Sequence, residues 1–93
     1  MDGRRVDRAA AERFGRNLFM ARRRAGFSQE ELAALCALHR TEIGLLEKGR
    51  RLPRVDTLLK LSAAFAIEPE LLLKGMDWVT AAGRGAGGFA VKP

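Results

Sequence analysis

The sequence is poor in the residue types that carry chemistry. Its 93 residues include one cysteine (Cys36), one histidine (His39) and no tyrosine. A lone cysteine excludes an internal disulfide, and one cysteine with one histidine falls short of a zinc-ligand set. Cys36 lies in an apolar helical run and reads as a small core residue. No glycine-rich phosphate loop follows a strand, and no nucleophile has a base to activate it. The chain is therefore read as a non-enzyme with no metal and no cofactor. Long apolar runs are also missing, which argues against a membrane partner. The first residues, Met1-Asp2-Gly3-Arg4-Arg5, are charged and no apolar signal core follows them, so a cytoplasmic protein is expected. The length suits one domain. A chain this short buries a limited core, which favours a helical bundle or an oligomer.

What the sequence does have is positive charge, unevenly placed. The net charge is +6. Residues 1–26 carry eight arginines against Asp2, Asp7 and Glu12, a net of +5, whereas bases and acids balance over residues 27–75. Clustered arginine attracts a polyanion, nucleic acid before anything else. Charge alone fits equally well a basic face that only keeps the protein dissolved.

Periodicity supplies the architecture. Residues 1–6 read as a flexible N-terminus. Ala10, Phe14, Leu18, Ala21 and Ala25 recur at helical steps over residues 7–25, and Gly26 stops that helix. Ser28 is an N-cap whose capping box is completed by Glu31, with Phe27 and Leu32 placed as a hydrophobic staple. The second helix runs to about Cys36, with Leu32, Ala33 and Leu35 inward. A tight turn follows, then a third helix from Arg40 to Lys48, ended by Gly49. Val55, Leu58, Leu59, Leu61, Ala64 and Phe65 cover more than one face of a fourth helix, which predicts that it is central and well buried. Pro69 opens a short fifth helix through Leu73, and Gly75 stops it. Residues 76–93 form a glycine-rich tail in which the ends at Trp78-Val79 and Phe89-Ala90-Val91 are strand-like. That tail is either flexible or docked. The fold class is all-α: five helices over residues 7–75, with a helix-turn-helix at helices two and three and a flexible or strand-like C-terminal tail.

Ser28-Gln29-Glu30-Glu31-Leu32-Ala33 followed by Leu38-His39-Arg40-Thr41-Glu42-Ile43-Gly44-Leu45-Leu46-Glu47-Lys48-Gly49 closely resembles the phage-repressor and Cro-like (Xre-type) helix-turn-helix regulators. Arg50-Arg51-Leu52-Pro53, Thr57 to Leu61 and Phe65-Ala66-Ile67 continue the likeness, which covers residues 10–74. The Leu38-His39-Arg40-Thr41 segment is also similar to restriction–modification controller proteins.

The resemblance implies a sequence-specific regulator, a repressor in its simplest form, that binds double-stranded DNA as a homodimer on a pseudo-palindromic operator. Gln29 would contact a backbone phosphate at a helix N-terminus. Arg40 and Thr41 would reach base edges in the major groove, with Gly44 and Leu45 facing the groove beside them. Lys48, Arg50 and Arg51 would lie along phosphates, and His39, standing where a Ser or Thr cap is usual, would reach a phosphate too. Arg22 and Glu47 match a structural ion pair of the family, which leaves Arg23 and Arg24 outward. Ala37 stands where the family's turn usually has glycine. The dimer surface is assigned to Leu71, Leu72, Trp78, Phe89 and Val91. A different reading makes the chain a protein-interaction module, such as an antitoxin or accessory regulator. The apolar Gly44–Leu45 face is its support.

Overall fold

A computed structural model describes residues 7–81 and 87–93. The expected flexible N-terminus, residues 1–6, and the centre of the glycine-rich stretch, residues 82–86, lie outside the described residues.

Local signals set the first two helices. Helix α1 spans Arg8–Ala25; the Asp7 carboxylate caps it by accepting from the Ala10 N–H at 3.0 Å. Arg22, Arg23 and Arg24 occupy its last turn, where positive charge suits the helix dipole, and Gly26 leaves it at φ 79°. Helix α2 spans Gln29–Cys36 behind a reciprocal capping box: the Ser28 hydroxyl accepts from the Glu31 N–H at 3.0 Å, and the Ser28 N–H donates to the Glu31 carboxylate at 2.8 Å. Phe27, just before the cap, stacks on Phe65 with ring centroids 6.2 Å apart. Helix α3 spans Arg40–Glu47.

Helix α4 spans Val55–Phe65 and helix α5 Pro69–Leu72. The core is Phe14 and Leu18 of α1, Leu32 and Cys36 of α2, Ile43 and Leu46 of α3, Leu61 of α4 and Leu72 of α5. Two expectations fail here. Helix α4 is not enclosed: Thr57, Leu61 and Ser62 are buried, but Val55 is 74% exposed and Leu59 53%. Only one of its sides has a neighbour to pack on. Leu35 is 59% exposed for the same reason, because α2 turns only Leu32, Ala33 and Cys36 inward. Cys36 is the small core residue expected. Its Sγ contacts the Lys60 carbonyl at 3.5 Å, and burial raises its thiol pKa against the opposing pull of Lys60.

The strand-like ends of the tail pair. Strands β1 (Met76–Val79) and β2 (Gly88–Val91) form an antiparallel two-stranded sheet in which Trp78 faces Phe89 and Met76 faces Val91. Trp78 and Phe89 meet edge to face at 5.1 Å. An isolated hairpin of this size is marginal in water. This one is fastened to α1. Asn17 Nδ2 donates to the carbonyls of Leu72 and Lys74 at 2.9 and 3.0 Å, and the Arg13 guanidinium donates to the carbonyls of Lys74 and Lys92. The Lys92 N–H closes the sheet onto the Gly75 carbonyl at 2.8 Å.

Gly15 decides how near α1 lies to α3. A Cβ there would sit 2.5 Å from the Leu46 carbonyl oxygen and 2.6 Å from that of Glu47, and both obstacles are backbone. Gly44, on the other side of α3, has open space around it. Gly15→Ala is expected to lower stability by about 1–3 kcal/mol through overpacking. Gly44→Ala is expected to raise it by about 0.5–1 kcal/mol through helix propensity. Urea unfolding of the two variants checks both signs.

Candidate nucleic-acid interface

The turn between α2 and α3 is held by backbone bonds. Ala37 takes the left-handed conformation at φ 55°, its N–H returns to the Ala33 and Ala34 carbonyls, and the Leu38 N–H donates to Ala33 at 2.9 Å. An alanine therefore occupies a conformation that favours glycine, at a cost of roughly 1 kcal/mol. His39 precedes α3 and its side chain makes no capping bond; the His39 carbonyl accepts from the Glu42 N–H at 2.9 Å.

Ile43 and Leu46 anchor α3 in the core, and this fixes what the helix shows outside. His39, Arg40, Thr41 and Lys48 are exposed, while Gly44 and Leu45 are half-buried. Arg50 and Arg51 are exposed on the segment that follows. Arg51 is already engaged, with its guanidinium 3.1 Å from the Glu42 carboxylate.

Behind this face lies an ion pair. Arg22 Nε donates to Glu47 Oε2 at 2.6 Å and Nη2 to Oε1 at 3.0 Å, with the two side chains only 11% and 6% exposed. Arg22 Nη1 also donates to the Phe27 carbonyl at 3.0 Å. The hydrogen bond to Glu47 outweighs burial and raises the Arg22 pKa further, so the guanidinium stays charged.

Sequence reasoning missed the role of Gln29 inside this network. Its Nε2 donates to Glu47 Oε1 at 3.0 Å, and its Oε1 accepts from Arg40 Nη1 at 3.3 Å. The first residue of α2 thus touches both the last and the first residue of α3. The capping box marked where α2 starts, but no local pattern reports a contact eighteen residues away.

Among the residues assigned to a dimer surface, Leu71, Trp78, Phe89 and Val91 are exposed. Leu72 is not. It is 1% exposed and belongs to the core of its own chain, so it offers nothing to a second copy. The apolar triplet Leu71–Leu73 divides because α5 is a single turn with only one side on the bundle. Leu71 borders a groove with α1, whereas Trp78 and Phe89 border a separate cleft beside Arg51 and Leu52.

A helix-turn-helix family model (HTH_3) matches residues 18–72, more than half of the chain. The chain belongs to the helix-turn-helix family. This family comprises DNA-binding regulators and not enzymes. Among its members, the control protein C.BamHI of Bacillus amyloliquefaciens is 42% identical over 50 residues, which cover 54% of this chain and 62% of that protein. A prophage-derived helix-turn-helix regulator of Bacillus subtilis, YonR, is 36% identical over 62 residues, covering 67% of this chain and 57% of its own length. The chain thus matches less than two thirds of each of these relatives. The crystal structure of the restriction–modification controller protein C.AhdI from Aeromonas hydrophila superposes with a TM-score of 0.67 at 41% identity, covering 69% of this chain and 97% of that one. The P22 c2 repressor, solved in complex with a synthetic operator, superposes with a TM-score of 0.63 at 27% identity over 67% of this chain and 94% of its own. Among the described residues no helix is long and apolar enough to cross a membrane, and no cluster of three metal-ligating side chains occurs.

The family model ends at Leu72, so the hairpin lies beyond it, while the Arg22–Glu47–Gln29 network lies wholly within it. Removing one partner of a buried ion pair strands the other charge. Glu47→Ala is expected to cost about 3 kcal/mol of unfolding free energy, and the double variant Arg22→Met with Glu47→Leu to recover most of that loss. Chemical denaturation of the three proteins checks this. A loss below about 1 kcal/mol for Glu47→Ala would place the pair among ordinary surface bridges.

Proposed function

We propose that this chain is a sequence-specific DNA-binding transcription regulator, a repressor by occlusion, that works in the cytoplasm as a homodimer. The observation that carries this reading is the exposed start of α3. Arg40 and Thr41 stand outward there, and Arg40 is steadied by Gln29, itself tied to the buried Glu47. A helix presenting its N-terminal side chains from a rigid base suits insertion into the major groove. The P22 c2 repressor's capture on a synthetic operator supports the same reading for a chain of like fold.

The roles divide by chemistry. Arg40 bonds a guanine edge through its forked guanidinium, and Thr41 bonds or packs against the neighbouring base. Gly44 lets the duplex come close, and Leu45 touches a thymine methyl. Gln29, His39, Lys48, Arg50 and Arg51 hold phosphates and set register. Arg51 exchanges Glu42 for a phosphate on binding, and the exposure of that pair makes the exchange inexpensive. One domain makes few base contacts. Two domains related by a two-fold axis read half-sites about 10–10.5 base pairs apart. The second copy packs on the exposed apolar side of the hairpin, through Trp78, Phe89 and Val91.

Arg40→Ala should weaken binding to a selected site by about 1–3 kcal/mol and relax preference at one base position. Arg50→Ala should weaken all sequences alike and reduce the salt slope by about one. Titration of both variants against a site selected from random duplexes, and against a scrambled one, checks this. Identical behaviour would overturn the division of roles, and no binding at low salt would favour the protein-interaction reading. Sedimentation should give a dimer for the native chain and a monomer for Trp78→Asp with Phe89→Asp. An unchanged mass would remove the hairpin from the interface.

A further inference from the structure

The flank of α1 turned away from the recognition helix bears a groove that DNA contact does not use. Gly15 points at α3, and positions 13, 17, 20 and 24 project from the opposite side of α1 by helical geometry. Together with α5 and the chain after β2, they border an open groove of about 1110 Å³. Sites for small molecules usually enclose about 300–1,000 Å³. An open channel of this size suits a segment of polypeptide better.

The floor is apolar, made by Met20, Phe65, Ile67 and Leu71, of which Met20 and Leu71 are exposed. The rim is cationic: Arg16, Arg24 and Lys74 border it, and no Asp or Glu is among its lining residues. Among the described residues none of these three has a carboxylate partner. Arg13 adds a fourth cation, since its bonds go to neutral carbonyls and leave its charge uncompensated.

We propose that this groove docks an acidic amphipathic helix of a partner protein, with apolar side chains on the floor and carboxylates on the rim. Apolar anchors at helical spacing match such a floor, and opposite charge on the rim guides the encounter and fixes register. A duplex would meet an apolar floor with no base-reading groups. A second copy would bring one cationic rim against another. Both alternatives fit the observations less well.

The probe is a synthetic helix with leucine at i, i+3, i+4 and i+7 and glutamate on its other face, fluorescently labelled and followed by polarisation. Micromolar binding is expected, weakened about tenfold by Arg24→Glu and by Met20→Asp, with affinity for duplex DNA unchanged in both variants. Both side chains are exposed, so neither substitution disturbs the core. Failure of the native chain to bind the peptide would overturn the proposal. Equal binding of a scrambled peptide of the same composition would reduce it to unspecific charge. Displacement by a short duplex would reassign the groove to nucleic acid, and a lower sedimenting mass for Arg24→Glu without loss of peptide affinity would reassign it to a second copy. Because DNA affinity is measured separately, failure here leaves the DNA reading standing.

Discussion

Three helices meet on one buried carboxylate. Glu47 closes α3, accepts two bonds from Arg22 near the end of α1 and a third from Gln29 at the start of α2. Arg22 turns its remaining nitrogen to the Phe27 carbonyl, at the corner where α1 gives way to α2. Burying this pair carries a desolvation cost of several kcal/mol, which good geometry and saturated hydrogen bonding offset. An apolar replacement of similar volume would stabilise the bundle about as well. It would not tie the start of α2 to the end of α3, nor leave Gln29 in place to hold Arg40. The pair supplies orientation more than it supplies stability, and orientation is what a projecting helix needs.

Gly15 is the steric half of the same constraint. Its missing side chain lets α1 reach the carbonyls of Leu46 and Glu47, the same end of α3 to which the Arg22 guanidinium bonds. The sequence pattern showed neither the contact nor its purpose, because a glycine within a helical run carries no sign of what lies opposite. The Ser28–Glu31 box was legible because capping is decided within four residues. The Arg22–Glu47 pairing came from resemblance, since the partners are 25 residues apart. The exposure of Leu35, Val55 and Leu59 was misread for one physical reason. Periodicity tells which positions share a side of a helix, but not whether another element exists to cover that side.

The hairpin illustrates a different limit. Trp78-Val79 and Phe89-Val91 read as strand-like, but whether they would pair stayed open, and rightly so on local grounds. The groups that settle it sit on α1. Asn17 and Arg13 donate to carbonyls 55 to 79 residues further along the chain, satisfying the C-terminal end of α5 and anchoring the last residue before Pro93. These are polar side chains that a helical wheel assigns to solvent. Their partners are backbone atoms, which no residue type advertises.

The distribution of charge changes meaning once these roles are assigned. The arginine-rich first 26 residues hold nearly all of the net charge, and taken alone they would be the DNA-binding region. Within the fold Arg22 is spent on Glu47, Arg13 on the hairpin, and Arg16 and Arg24 border the groove on the flank away from α3. The cations proposed to meet DNA, Arg40, Lys48, Arg50 and Arg51, come from a stretch whose net charge is zero, and Arg51 there already has a carboxylate beside it. Local position thus outweighs regional charge. A long-range field from the basic half steers any polyanion toward the molecule, but in the proposed reading discrimination between sequences rests on two or three side chains at the start of α3. A reading head that small needs a rigid mount, and this returns the question of specificity to the buried carboxylate of Glu47.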